Sequence, residues 1–193
     1  MLSMLCGPSG VGKTTLLRAL LAYEPALQPL ITYTTRSPRL LERNHVDYHF
    51  LSQEEFQARE FVCPLLHREA WYGIAPEDLA ICHETEVLAV LRPDKLAELQ
   101  HLVPIRMSFY ITWPDDQPPQ TPEDQVITAA RAHCTYHIRN TPGHLMDAVA
   151  QIRLHFHRSR GACPCLPLSP VWTNSIPVTE ASNSCGATRI EQP

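Results

Sequence analysis

The chain has 193 residues and a formal net charge of −4, with 16 Lys and Arg against 20 Asp and Glu. That length implies one domain with room for a full core, the acidic balance argues against a protein that coats a nucleic-acid backbone, and no apolar run reaches the roughly 18 residues a bilayer-spanning helix needs. Its 7 cysteines are odd in number and irregularly spaced, which favours reduced thiols over a disulfide frame, and "MLSMLC" is too short for a signal-peptide core, so the expectation is a cytoplasmic protein.

In chain order, "LSMLC" is a short apolar run ending at a glycine turn and reads as a buried strand. From Thr14, Leu16, Leu17, Leu20 and Leu21 fall at helical spacing, and Pro25 stops that helix. "LITYTT" reads as a strand, "SPRLLERNH" as a loop and "VDYHFL" as a second short strand. Ser52 caps a helix with Glu55 in the capping-box position. "WYGI" is extended and "APEDLAICHE" helical. "TEVLAVL" is a strand, "PDKLAELQHL" a helix and "IRMSFYIT" a strand. A proline-rich loop follows, then a helix from about Glu123, a strand at "TYHIRN" and a closing amphipathic helix at "HLMDAVAQIRLHFH". Its His155 and His157 read as part of a solvated face. Strands alternating with helices predict an α/β fold with a mainly parallel sheet. From about Ser159 the chain turns rich in Pro, Ser, Thr and Asn, which predicts a disordered tail over 159–193. Cys163 and Cys165, one residue apart, have the wrong spacing for a zinc knuckle.

The stretch "GPSGVGKT" carries the first chemistry. Gly7, Gly10 and Gly12 let the backbone turn its N–H groups inward, where they and the positive end of the next helix surround phosphate oxygens. Lys13 supplies a mobile cation for the β and γ phosphates, and Thr14 a hydroxyl for Mg²⁺. Ser9, Val11 and Thr15 complete the candidate ATP-phosphate loop. The next informative stretch is "TYTTRSPRLLERNHVDYHF". Arg36 and Arg39 stand three apart with Pro38 between them, followed by Glu42 and Tyr48. Two guanidiniums can clamp a phosphate bidentately and a tyrosine hydroxyl can add a bond. A second phosphate clamp facing the first is what transfer between two phosphorylated molecules requires.

Together "GPSGVGKTTL", "TTRSPR", Glu42, "VDYHFLSQEEF" and the Tyr72-Gly73 pair resemble the guanylate kinase family over about residues 3–75, with a weaker return near "YHIRN". The resemblance implies a P-loop NTPase-type three-layer fold over 1–158, with a small acceptor-binding subdomain at about 32–80. It implies ATP and Mg²⁺ as donor and cofactor, and a nucleoside monophosphate, GMP or dGMP, as acceptor. Arg36, Arg39, Tyr48 and Tyr72 would hold the acceptor, with Thr32 in place of a family serine and Glu42 supporting the cluster. Asn140 would lie near the donor adenine. Nucleotides, rather than nucleic acid or a membrane, are the implied partners.

The departures are as informative. By resemblance, Leu66 stands where the family carries a guanine-reading glutamate, and Ala89 where it carries an aspartate. The family's arginine-rich lid is replaced by "WPDDQPPQTPEDQ", which leaves Arg131 as the candidate transition-state arginine beside Lys13, Arg36 and Arg39. Two alternatives follow. One is the family's phosphonate-pathway branch, which phosphorylates ribose 1,5-bisphosphate and needs no guanine pocket. The other is a non-catalytic guanylate kinase-like binding module.

Overall fold

The structure is a computed structural model that describes residues 1–115 and 121–160. The anticipated tail therefore lies outside the described residues from 161 onward, as does part of the proline-rich loop. Five parallel strands form the main sheet: β1 (Leu2–Cys6), β2 (Leu27–Pro29), β7 (Glu86–Val90), β8 (Ile105–Thr112) and β9 (Tyr136–Arg139), in the order β2-β7-β1-β8-β9. The central strand β1 is buried along its whole length, which is why it reads as an uninterrupted apolar run.

Period-two alternation sorts its side chains to two cores. Leu2, Met4 and Cys6 point to one face, where they meet Ala89, Tyr110 and Leu99. Leu5 points to the other, with Leu88, Phe109 and Ile138. That second face is covered by α1 (Lys13–Tyr23) and α7 (Leu145–Ser159). Leu16 and Leu20 of α1, and Ala148, Val149, Ile152 and Phe156 of α7, recur at helical spacing and are fully buried. The first face is covered by α5 (Leu96–Gln100) and α6 (Pro122–Ala129), through Leu96, Leu99 and Ile127. Helices on both faces of a parallel sheet make the expected three-layer α/β fold.

A smaller sheet is inserted between β2 and β7. It is ordered β4-β3-β6-β5, from β3 (Tyr33–Thr34), β4 (His49–Phe50), β5 (Val62–His67) and β6 (Ala70–Ile74). Helix α2 (Gln53–Gln57) starts in the anticipated capping box: Ser52 accepts from the Glu55 N–H, and Glu55 accepts from the Ser52 N–H. Its Phe56 stacks on Phe61 at 4.1 Å to seed a satellite core with Tyr33 and Trp71. Strand β5 has no counterpart in the sequence reading. The continuous strand expected at "LITYTT" is two strands in different sheets, because the chain leaves the main sheet between Pro29 and Tyr33. The helix expected at "APEDLAICHE" is two single turns, α3 (Pro76–Leu79) and α4 (Ile81–Glu84).

The histidines near the end of α7 are part-exposed and also make side-chain contacts. His155 lies 3.8 Å from the Tyr136 ring centroid, and His157 sits 3.3 Å from Glu24. Glu24, 5 % exposed, also accepts from Arg153 and Arg160, tying α7 to the end of α1. The arginine and histidine charges around it hold its carboxyl below the ordinary value despite the opposing push of burial. Among the described residues no helix is long and apolar enough to cross a membrane.

Ile152 has no exposed surface and sits at the centre of the α1–α7 core. Ile152→Ala is expected to lower unfolding free energy by about 2–5 kcal/mol, read from the midpoint of urea denaturation with an unchanged slope.

Candidate functional site

The phosphate loop is set by its two ends. Cys6 closes β1 at the centre of the sheet, and Lys13 opens α1. Gly7 takes φ 133°, and a Cβ there would run into the Ile111 carbonyl of β8. Gly12, at φ 87°, is the N-cap of α1 in the left-handed region. A Cβ on Gly12 would sit 2.5 Å from the Asn140 amide nitrogen. No side chain caps α1, so its first N–H groups are left to an anion and the helix dipole adds to the attraction.

Lys13 folds back over the loop and donates to the carbonyls of Gly7 (2.9 Å) and Pro8 (2.6 Å). Burial, aided by the nearby positive charge of Arg39, lowers its pKa to about 8. Ser9, Gly10, Thr14 and Thr15 line the same cavity. Val11 does not: it is buried beneath the loop, and its carbonyl accepts from Asn140 Nδ2 at 2.8 Å. Asn140 is buried under the phosphate loop and braces it from the end of β9.

Across the cavity stands the arginine pair. Arg36 makes a fork on Glu42, Nη1 to Oε2 at 2.8 Å and Nη2 to Oε1 at 3.1 Å, and its Nε donates to the Tyr72 hydroxyl at 3.3 Å. Burial opposes the Arg36 charge, but Glu42 and Tyr72 outweigh it and hold the group above its ordinary value. Glu42 is held below the carboxylate range by Arg36 and by the Arg39 N–H, which donates to it at 2.7 Å. Tyr48 sits edge-on to Tyr72 with ring centroids 6.1 Å apart, and burial raises its hydroxyl pKa. Thr32, Arg36, Arg39, Tyr48 and Tyr72 all line one cavity of about 360 Å³ together with Lys13 and Thr14. Glu42 stays behind the wall and orients Arg36.

The far wall differs from expectation. Leu66 is 54 % exposed and points away from the cavity. The register of β5 on β6 shifts between Val62 and Leu65, and Cys63 takes φ 53°. This bulge resets the alternation, so Cys63 and Leu65 face inward instead. Ala89 is fully buried in the core, one residue short of the cavity, and Val90, Leu91 and Arg92 line it. The carboxylates expected to be missing at Leu66 and Ala89 are also absent at these inward-facing positions.

Instead, His67, Arg68, Arg92 and Lys95 reach the cavity, while Asp124 is the single carboxylate among its described lining residues. Sequence reasoning overlooked this basic wall. Its residues come from two separate segments, and the visible signal was only the basic turn "HRE" and the "RPDK" after β7. Burial pushes the Cys63 thiol up to about 12, with Glu98 beside it adding to the effect. Arg131 lies in the 3₁₀ turn Ala130–His133 after α6 and is not among the cavity-lining residues. Its guanidinium stands 5.6 Å from the Tyr110 ring centroid and donates to His137.

A strand, a glycine loop and a helix around a part-buried lysine, at the carboxyl ends of a parallel sheet, define a P-loop phosphate-binding protein. Comparison with known proteins narrows this. The guanylate kinase family model matches residues 2–132, and the chain belongs to that family. A guanylate kinase of Cupriavidus metallidurans is 53 % identical over 57 residues, covering 30 % of this chain and 26 % of the relative. One from Xanthomonas oryzae pv. oryzae is 34 % identical over 124 residues, covering 60 % of each. The chain thus spans about a quarter to three fifths of the length of these curated relatives. The crystal structure of guanylate kinase from Anaplasma phagocytophilum superposes with a TM-score of 0.58 at 19 % identity, covering 88 % of this chain and 90 % of that one, which establishes the shared fold.

Phosphate oxygens favour the charged form of Lys13, so binding takes up a proton wherever the free lysine is neutral. Affinity for a polyphosphate anion is expected to be level below about pH 8 and to weaken above it; the limiting slope is roughly tenfold per pH unit. Titration calorimetry checks this, and Lys13→Ala should bind weakly with no such inflection.

Proposed function

We propose that the protein transfers the γ-phosphoryl group of ATP to a nucleoside monophosphate, GMP or dGMP first among them. The observation that carries this reading is the single cavity shared by the Lys13–Thr14 phosphate loop and the Arg36–Arg39–Tyr48–Tyr72 clamp. Binding both substrates there would place an acceptor phosphate oxygen in line with the γ-phosphorus. That oxygen is already anionic, so no general base is required, and positioning with charge neutralisation carries the rate. Lys13 and the N–H groups of the loop hold the donor. Arg39 and the braced Arg36 hold the acceptor and keep the two phosphates together against their repulsion.

Mg²⁺ fits this set in a limited way. Thr14 offers a hydroxyl to the ion, and among the described residues no group of three or more His, Cys, Asp or Glu could hold a metal alone. Nucleotide phosphates and water would supply the remaining oxygens, as is usual for this ion, which neutralises phosphate charge when bound. Arg131 would serve as a transition-state cation only after leaving Tyr110 and His137.

One observation favours a second acceptor. The far wall offers Arg92 and Lys95 where a carboxylate would be needed to bind the donor edge of guanine. A sugar bisphosphate such as ribose 1,5-bisphosphate could place its second phosphate there.

ADP release with ATP, Mg²⁺ and a panel of GMP, dGMP, the other nucleoside monophosphates and ribose 1,5-bisphosphate separates these readings. Turnover with GMP or dGMP is expected; turnover with the bisphosphate alone would move the assignment to the second acceptor. ATP binding with no turnover on any acceptor would leave a binding module. With the acceptor that works, Arg39→Ala is expected to lower kcat/KM by about 10- to 100-fold, the worth of one charged hydrogen bond of about 1.5–3 kcal/mol.

A further inference from the structure

A second guanidinium in the cavity is braced in the same way as Arg36. Arg92 follows the end of β7, which lies in parallel register beside β1 with Val90 opposite Leu5. The Leu91 N–H donates to the Leu5 carbonyl at 3.2 Å, so the chain leaving β7 runs beside the chain that enters the glycine loop. Arg92 stands two residues beyond Val90, as Gly7 stands two beyond Leu5. The 3₁₀ turn Pro93–Lys95 stops the strand there. Its Pro93 is buried, and the Lys95 N–H closes it on the Arg92 carbonyl at 3.2 Å.

Asp94, inside that turn, reaches back to the guanidinium. Arg92 Nε donates to Oδ1 at 2.8 Å and Nη2 to Oδ2 at 3.2 Å, with 19 % and 24 % of the two side chains exposed. A two-point contact fixes the plane of a guanidinium as well as its position. The fork repeats that of Arg36 on Glu42, and both arginines line the cavity of Lys13 and Thr14.

A phosphoryl group in transfer spreads negative charge over three equatorial oxygens, and a cation already fixed beside it stabilises that charge without further reorganisation. In the proposed reaction Lys13 and the loop hold the donor, and Arg36 and Arg39 the acceptor. Arg131 stands against Tyr110, off the cavity. Arg68 is exposed on the turn between β5 and β6. Arg92 alone joins a place beside the phosphate loop to a braced guanidinium.

We propose that Arg92 is the catalytic arginine of this site, donating to the oxygens of the phosphoryl group as it transfers, and that Asp94 is its positioning residue. This role presupposes the phosphotransfer reading. An acceptor oxygen lone pair forms the new P–O bond, the bond to the β–γ bridging oxygen breaks, and that electron pair leaves on ADP. Arg92 gives up no proton; its hydrogen bonds strengthen as charge moves onto the equatorial oxygens.

Steady-state ADP release from the full chain, with the acceptor that works, tests the assignment. Arg92→Ala is expected to lower kcat by about 10³-fold with the KM values of ATP and acceptor nearly unchanged. Millimolar guanidinium should restore part of the lost rate. Arg92→Lys should stay slow, because an ammonium cannot form the fork. Asp94→Asn should lower kcat by about tenfold and gain nothing from guanidinium. Unchanged ATP binding by calorimetry reports that each variant is folded, and Arg92→Gln repeats the measurement with a side chain of similar length. A kcat that survives Arg92→Ala, or a loss confined to the acceptor KM, overturns the proposal. A parallel titration adds acceptor to the chain holding ADP, Mg²⁺ and aluminium fluoride, a mimic of the transferring group. The parent chain should bind acceptor more tightly with the mimic than without it, and Arg92→Ala should lose that gain. A parent chain with neither turnover nor that gain refutes the phosphotransfer reading and this role together. A parent chain that turns over at the rate of its Arg92→Ala variant refutes the role of Arg92 alone.

Discussion

The close approach of three parallel strands to the phosphate loop is the constraint on which the site depends. At Gly7 the loop passes against the β8 backbone, and at Gly12 against the Asn140 side chain at the end of β9. Neither position has room for a Cβ, so the backbone can turn its N–H groups toward the cavity only because glycine stands at both. Asn140 then holds the Val11 carbonyl from below and Val11 plugs into the α1–α7 core. The loop is rigid because the core behind it is packed, and the hydrophobic sheet and the phosphate cradle are one construction.

The same compaction explains the electrostatics. Lys13 lies part-buried over the loop, bonded to the carbonyls of Gly7 and Pro8, and desolvation, with the nearby Arg39 charge, lowers its pKa to about 8. A cation held in this unfavourable setting gains most from an arriving phosphate. Across the cavity, at Arg36, the balance has the opposite sign. Arg36 is also part-buried, but Glu42 presents both oxygens to its fork, and the pair keeps its charge and its aim. One wall is primed for an anion by an unsettled cation, the other by a cation whose orientation is fixed in advance.

The small sheet carries that second wall, and its placement follows from modest contacts. The Leu30 N–H donates to the Leu88 carbonyl at 3.0 Å, and Arg18 of α1 pairs with Asp47 beside the clamp. The bulge at Cys63 then decides which side chains of β5 see the ligand. A single unpaired residue turns Leu66 outward and Cys63 inward, which changes the chemistry of the pocket without changing its outline.

By itself the sequence determined the parts whose physics is local. The apolar run before a glycine loop, the Lys13–Thr14 pair after it, the capping box at Ser52 and Glu55, and the Arg36–Arg39 turn lie within a few residues of their partners, and spacing along the chain is enough to read them. It also determined the order of elements in the main sheet's α/β layers, because hydrophobic period distinguishes buried strands from amphipathic helices. Tertiary structure alone decided which wall residues face the ligand, because a bulge in β5 shifts the two-residue alternation that a sequence reader must assume. It placed Asn140 beneath the loop with its amide on the Val11 carbonyl, and brought His67, Arg92 and Lys95 to one wall from separate segments. These juxtapositions are made by the packing of parallel strands, whose neighbours are distant in sequence, and no local pattern records them.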